Sequence, residues 1–230
     1  MSEPLRITLV GATGLVGRSF IDLAACRGDV RLTAISRREF RLPPGARMEM
    51  FVAEPGHWAE VIEAARPEVL VSALGTTWRK AGREEAAFRA VDYDLVLDTA
   101  RAARAHGVER MVAVSSTGAD PASKTFYLRV KGEAERHLAR LGFKRLDLLR
   151  PGLLRGPRQS DRRLVERAGI LLSPLTDMLL HGRARQYRSI PAHTVAEAAL
   201  ALALRRAAGR FKHDNDALVR AARSLAVPGE

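Results

Sequence analysis

Three groups of residues in this chain have types and spacings that can do chemistry. The first is VGATGLVG at Val10–Gly17, with glycines at 11, 14 and 17. Gly11 permits a tight turn after a strand, Gly14 lets backbone approach a diphosphate, and Gly17 lets a helix pack closely on that strand. N–H groups exposed at the start of such a helix then meet the phosphate charge. The second group is Tyr127 and Lys131 in YLRVK, four residues apart and so on one face of a helix. A phenol with an ordinary pKa of about 10 is a poor base at neutral pH, and a neighbouring ammonium favours its ionised form. Such a pair can exchange a proton with a carbonyl or alcohol while a hydride moves. The third is SSTG at Ser115–Gly118, where the Ser116 hydroxyl can bond a carbonyl oxygen.

These groups need a scaffold, and the hydrophobic periodicity supplies one. Strands are expected at Arg6–Val10, Arg31–Ser36, Arg47–Val52, Glu68–Leu74, Arg110–Ser115 and Arg145–Leu149. Helices are expected at Leu15–Cys26, His57–Ala65, Glu84–Ala105 and Phe126–Arg140, the last two stopping at Gly107 and Gly142. Regular alternation of this kind implies right-handed crossovers and a parallel, doubly wound sheet, an α/β Rossmann arrangement. Beyond Pro151 the pattern changes. It gives an apolar helical segment at Leu171–Gly182, a short strand-like run at Ala184–Ile190, and helices at Thr194–Ala208 and Asn215–Leu225. The chain is expected to form one NAD(P)-binding domain over 1–230, with 153–230 contributing a reduced substrate cap.

The glycine turn stands where a dinucleotide fingerprint must stand, between the first strand and the first helix. The second strand then ends in SRREF. An acid at that point serves the ribose hydroxyls of NAD, whereas arginine meets the 2′-phosphate of NADP. Ser36, Arg37 and Arg38 match the second case, with Arg37 foremost because a planar guanidinium pairs with phosphate through two bonds. The expected cofactor is NADP(H), with NAD(H) as the alternative.

The net charge of +12 comes almost entirely from arginine, spread along the chain rather than gathered in blocks. With aromatics at only 5%, stacking on bases is poorly served, so no nucleic-acid partner is expected. No run approaches the roughly 18 apolar residues of a membrane span, and no membrane partner is expected. The lone Cys26 excludes an intrachain disulfide framework and reads as a small buried hydrophobe in a reducing compartment. With no secretory signal visible, the expectation is a cytoplasmic protein. The six histidines lack metal-ligand spacing, and no metal is expected.

In order along the chain, GATGLVG, SALGTT, VSSTGAD, YLRVK and RPGLLRGPR resemble the atypical and extended short-chain dehydrogenases/reductases over Arg6 to about Arg158. LGTTWRKAG, YLRVKGEAE and RPGLLRGPRQS look like the branch containing the mammalian Tat-interacting oxidoreductase. The resemblance implies that Thr13, Leu15 and Val16 complete the phosphate turn. It implies that Leu74, Gly75 and Thr76 lie along the cofactor's ribose and pyrophosphate, and that Lys131 also binds the nicotinamide ribose. Pro151, Gly152 and Leu153 would line the carboxamide with backbone groups. One departure stands out: where many members carry asparagine in the long helix after the fourth strand, this chain offers Asp92.

The leading expectation is an NADP(H)-dependent oxidoreductase acting on a small carbonyl or alcohol, with Tyr127 as acid/base, Lys131 as its electrostatic partner and Ser116 as carbonyl anchor. The alternative from another class is an NADPH-binding sensor with little or no catalysis. A homodimer or a regulatory protein partner is compatible with either.

Overall fold

The computed structural model describes residues 3–156 and 186–225. Seven parallel strands form one sheet: β1 (Leu5–Val10), β2 (Val30–Ser36), β3 (Met48–Val52), β4 (Val69–Ser72), β5 (Arg110–Val114), β6 (Arg145–Leu149) and β9 (Gly209–His213). Their spatial order is β3-β2-β1-β4-β5-β6-β9, so the sheet reverses direction between β1 and β4. Ligands of open α/β sheets bind outside the carboxyl ends of the strands at such a reversal. A separate two-residue ladder pairs β7 (Leu154–Arg155) with β8 (Ile190–Pro191).

Both faces of the sheet are covered, which is why its inner strands read as near-continuous apolar runs. On one face lie α1 (Leu15–Ala24), α6 (Ala192–Ala203) and α7 (Asn215–Arg223), packed on Ile7, Leu9, Leu32 and Val71. On the other lie α2 (Trp58–Ala65) and α4 (Leu95–Ala105), with Leu138 of α5 (Phe126–Leu138), packed on Val10, Ile35, Leu70 and Met111. Successive strand residues therefore feed opposite cores, as Leu9 and Val10 do.

Four differences from the sequence reading have physical causes. The helix expected over Glu84–Ala105 is α3 (Glu85–Arg89), then a π-turn at Ala90–Asp94, then α4; the π-turn rotates Asp92 inward, where it is 1% exposed. Strand β9 matched no expected element. Its GRFKH sequence lies at the sheet edge, where exposed Arg210 and Lys212 break the apolar pattern that marks inner strands. Consequently α6, β9 and α7 complete the sheet and one of its layers, although the cap was expected to extend over 153–230. The apolar segment at Leu171–Gly182 lies outside the described residues, as does the start of the run at Ala184–Ile190, of whose described residues 186–190 only Ile190 is strand. Finally, Cys26 is exposed, because it sits just past the end of α1 where the chain turns back towards β2.

Candidate functional site

The glycine turn is fixed by three different constraints. Gly11 has φ +84°, and a Cβ there would lie 2.4 Å from the Ala73 carbonyl. A Cβ on Gly17 would lie 2.2 Å from the Gly11 oxygen, so helix and turn are in direct backbone contact. Gly14 is different: its nearest neighbour would be the Gly11 oxygen at 3.3 Å, and its amide donates to that same oxygen at 3.1 Å. Gly14 is also the N-cap of α1, with no side-chain cap and no acid in the first turn. The positive end of this helix thus faces outward without a carboxylate of its own. Thr13 is exposed there, Leu15 is half-buried, and Val16 packs its side chain into the core, leaving its backbone to the turn.

From this turn a cavity of about 920 Å³ runs along the carboxyl edge of the sheet, a size suited to a large organic ligand. Its floor includes Ile35, Trp58 and Leu95, and at the end of β2 it meets Arg37 and Arg38. Ser36 is buried, and its hydroxyl donates to the Arg38 carbonyl and accepts from the Arg38 amide at 3.2 Å. The serine therefore shapes the turn that presents both arginines instead of offering its hydroxyl outward. Three charged cavity residues escaped the sequence reading. Arg18 follows directly after Gly17 in α1, Glu39 brings a carboxylate beside the arginine pair, and Lys80 joins the lining beyond Thr76.

The cavity continues past Leu74, Gly75 and Thr76 after β4. Below Gly75 lies a buried ion pair: Lys131 Nζ stands 2.8 Å from Asp92 Oδ1, with the side chains 7% and 0% exposed. The other carboxylate oxygen of Asp92 accepts the Thr76 amide at 2.7 Å. Burial opposes the lysine charge, but the Asp92 carboxylate, followed by Tyr127, outweighs it and holds the Lys131 ammonium above its ordinary pKa of 10.5. A Cβ at Gly75 would come within 3.5 Å of Asp92 Oδ1 and 3.7 Å of Lys131 Nζ. Only a glycine separates this pair from the loop above.

Tyr127 and Lys131 do share α5, one turn apart. The Tyr127 ring packs 5.4 Å from the ring of fully buried Phe88, which also meets Phe126 at 5.8 Å and Trp78 at 6.4 Å. Trp78 is 40% exposed on that shared phenylalanine. Ser116 is half-buried in the loop after β5, its hydroxyl donating to the Thr117 carbonyl at 3.3 Å. Neither Tyr127, Lys131 nor Ser116 lines the 920 Å³ cavity itself.

The loop after β6 is held from three sides. Thr117 donates its amide to the Pro151 carbonyl, the Gly152 amide donates to Asn215 Oδ1 at 2.8 Å, and Ile190 donates to the Leu153 carbonyl. These backbone groups, expected to line a carboxamide, are thus engaged within the protein. Asn215 Nδ2 reaches on to the Arg188 carbonyl, so the first residue of α7 locks two loops together. Buried Glu135 accepts from Ser115 Oγ at 2.6 Å and from both sides of the Arg150 guanidinium, tying α5 to β5 and β6. Glu135, Arg150 and Asn215 were missed because their partners lie 15 to 63 residues away; no local spacing announces them.

Residues 11–206 match the family model described as NAD(P)H-binding. The protein fmp52, mitochondrial, of Emericella nidulans is 38% identical over 163 residues, covering 68% of this chain and 70% of that protein. Among solved structures, MoeE5 in complex with UDP-glucose and NAD superposes with a TM-score of 0.68 at 16% identity, over 96% of this chain and 81% of that one. The dTDP-4-dehydrorhamnose reductase of Bacillus anthracis in complex with NADP gives a TM-score of 0.67 at 12% identity, over 94% and 76%. These structures share the Rossmann fold with this chain. The expected cytoplasmic location is corrected by the fungal relative, which is named as mitochondrial. A single cysteine does not distinguish one aqueous compartment from another.

Proposed function

The chain belongs to the NAD(P)H-binding family, with the motifs of a short-chain dehydrogenase/reductase, and from that premise we propose that it is an NADP(H)-dependent oxidoreductase for a small carbonyl or alcohol. The observation that carries the reading is the buried Lys131–Asp92 pair beneath Gly75, one helical turn from Tyr127 on the same face of α5. The residues fit the dinucleotide. An uncapped helix start, an open Gly14 and a cavity of about 920 Å³ leading to Arg37 suit a pyrophosphate and an adenosine.

When bound, the cofactor supplies or accepts the hydride. The chain's own residues do the rest. Tyr127 gives a proton from its hydroxyl to the carbonyl oxygen in reduction and takes one back in oxidation. The Lys131 ammonium favours the ionised phenol while that proton is away, and Ser116 orients the carbonyl. Arg37 and Arg38 gather positive charge at the end of β2, which supports NADP(H) over NAD(H). Glu39, next to them in the cavity, works against a 2′-phosphate, and the two guanidiniums outnumber it.

NADPH oxidation followed across a panel of small carbonyl compounds tests the reading. Turnover is expected with at least one compound, and Tyr127→Phe should lower it by about 10²–10⁴-fold while NADPH still binds. Arg37→Ala should narrow the preference for NADPH over NADH. Tight NADPH binding with no turnover across the panel would instead favour a cofactor sensor, a reading supported by the internal engagement of the Pro151–Leu153 backbone.

A further inference from the structure

We infer that Asp92 is a positioning residue that joins the loop after β4 to the tyrosine helix, holding the Lys131 ammonium beneath Gly75. The inference rests on the oxidoreductase reading and deepens it. The two oxygens of one carboxylate serve two elements: Oδ1 lies 2.8 Å from Lys131 Nζ on α5, and Oδ2 takes the Thr76 amide at 2.7 Å from the β4 loop. The π-turn at Ala90–Asp94 makes this reach possible by turning an acid into the interior of an otherwise α-helical run.

The neighbouring charges leave that task to Asp92. Tyr127 and Glu135 also face Lys131 from its own helix. Glu135 is already engaged with Arg150 and Ser115, and the β4 loop offers uncharged Gly75 and Thr76. Among the described residues Lys131 therefore has one dedicated counter-ion, and that counter-ion is anchored to the loop expected to run along the cofactor. A side chain at position 75 would start in van der Waals contact with both charged groups, 3.5 Å from Asp92 Oδ1 and 3.7 Å from Lys131 Nζ. Loop position and lysine charge are set by the same carboxylate.

The test uses the intact protein with ¹³Cε-labelled lysine, the Lys131 signal being assigned from its loss in Lys131→Arg. In Asp92→Asn, which keeps an acceptor for Thr76 but removes the charge, the pH midpoint of the Lys131 signal should fall by about one to three pH units. Thr76 should keep its protection from amide hydrogen exchange in Asp92→Asn and lose it in Asp92→Leu. An unchanged Lys131 midpoint, or a Thr76 amide indifferent to Asp92→Leu, overturns the inference. If Asp92→Asn does not fold, Asp92→Asn/Lys131→Met is compared with Lys131→Met. The double variant should melt higher because no buried charge is stranded, and a double variant that melts no higher overturns the inference. Carbonyl turnover is measured in parallel on the wild type. Its absence with the expected lysine and amide signals counts against the oxidoreductase reading only, whereas turnover with an unmoved lysine counts against Asp92 only.

Discussion

The two ends of the cleft are built in opposite ways. The glycine end comes from one stretch of seven residues, Gly11–Gly17, and is shaped by the absence of side chains. The tyrosine end is drawn from the β4 loop, the π-turn, α5, the loops after β5 and β6, and α7, held by buried polar groups such as Asp92, Lys131, Glu135 and Asn215. Backbone contact tolerates no added atom, while a buried charge tolerates no lost partner. The first end is therefore vulnerable to enlargement and the second to deletion.

Substitutions of each kind sharpen that contrast. The largest effect is expected from Lys131→Met, which strands the Asp92 carboxylate at 1% exposure and should cost about 3–5 kcal/mol in urea unfolding. The same pair sets an alkaline limit. With the Lys131 pKa raised above 10.5, its contribution to stability is complete below that pH and is lost as the pH climbs through the folded-state value. The wild type should thus lose stability above pH 10.5 more steeply than Lys131→Met. At the opposite end, Gly11→Ala should cost about 2–5 kcal/mol by the same measurement, from a left-handed Cβ forced against Ala73. Asn215→Ala leaves the half-buried Gly152 amide without its partner and should cost about 1–3 kcal/mol. Gly14→Ala should be the mildest in stability, within about 1 kcal/mol, yet should weaken NADPH binding measured by fluorescence titration. A Gly14→Ala protein that binds NADPH normally would break the contrast; the new Cβ would lie 3.3 Å from the Gly11 oxygen and 3.8 Å from the Ala73 oxygen.

The same division decides what could be read in the sequence. Inner strands β1, β4, β5 and β6 are buried on both faces, so their apolar runs mark them within a residue or two. The glycine turn and the Tyr127–Lys131 spacing are local, and local spacing survives in a one-dimensional reading. Edge strand β9 carries Arg210 and Lys212 towards solvent, so its pattern resembles a polar loop. The π-turn leaves no spacing signal, because five-residue periodicity inside a helical run is invisible until Asp92 is found facing inward. Ser36 adjoins the arginines in the sequence, but that its hydroxyl closes the turn beneath them depends on the folded path of the chain.

Strand β9 has a consequence for how the protein is made. It pairs with β6 along Arg145–Leu149 although 59 residues separate the two strands, and Asn215 follows just behind it to fasten Gly152. During synthesis the first six strands can assemble as they emerge, but the open rim of β6 stays bare until Gly209–His213 leave the ribosome. A chain halted before Gly209 would carry a nucleotide cradle intact at one side and a sticky, unfinished border at the other.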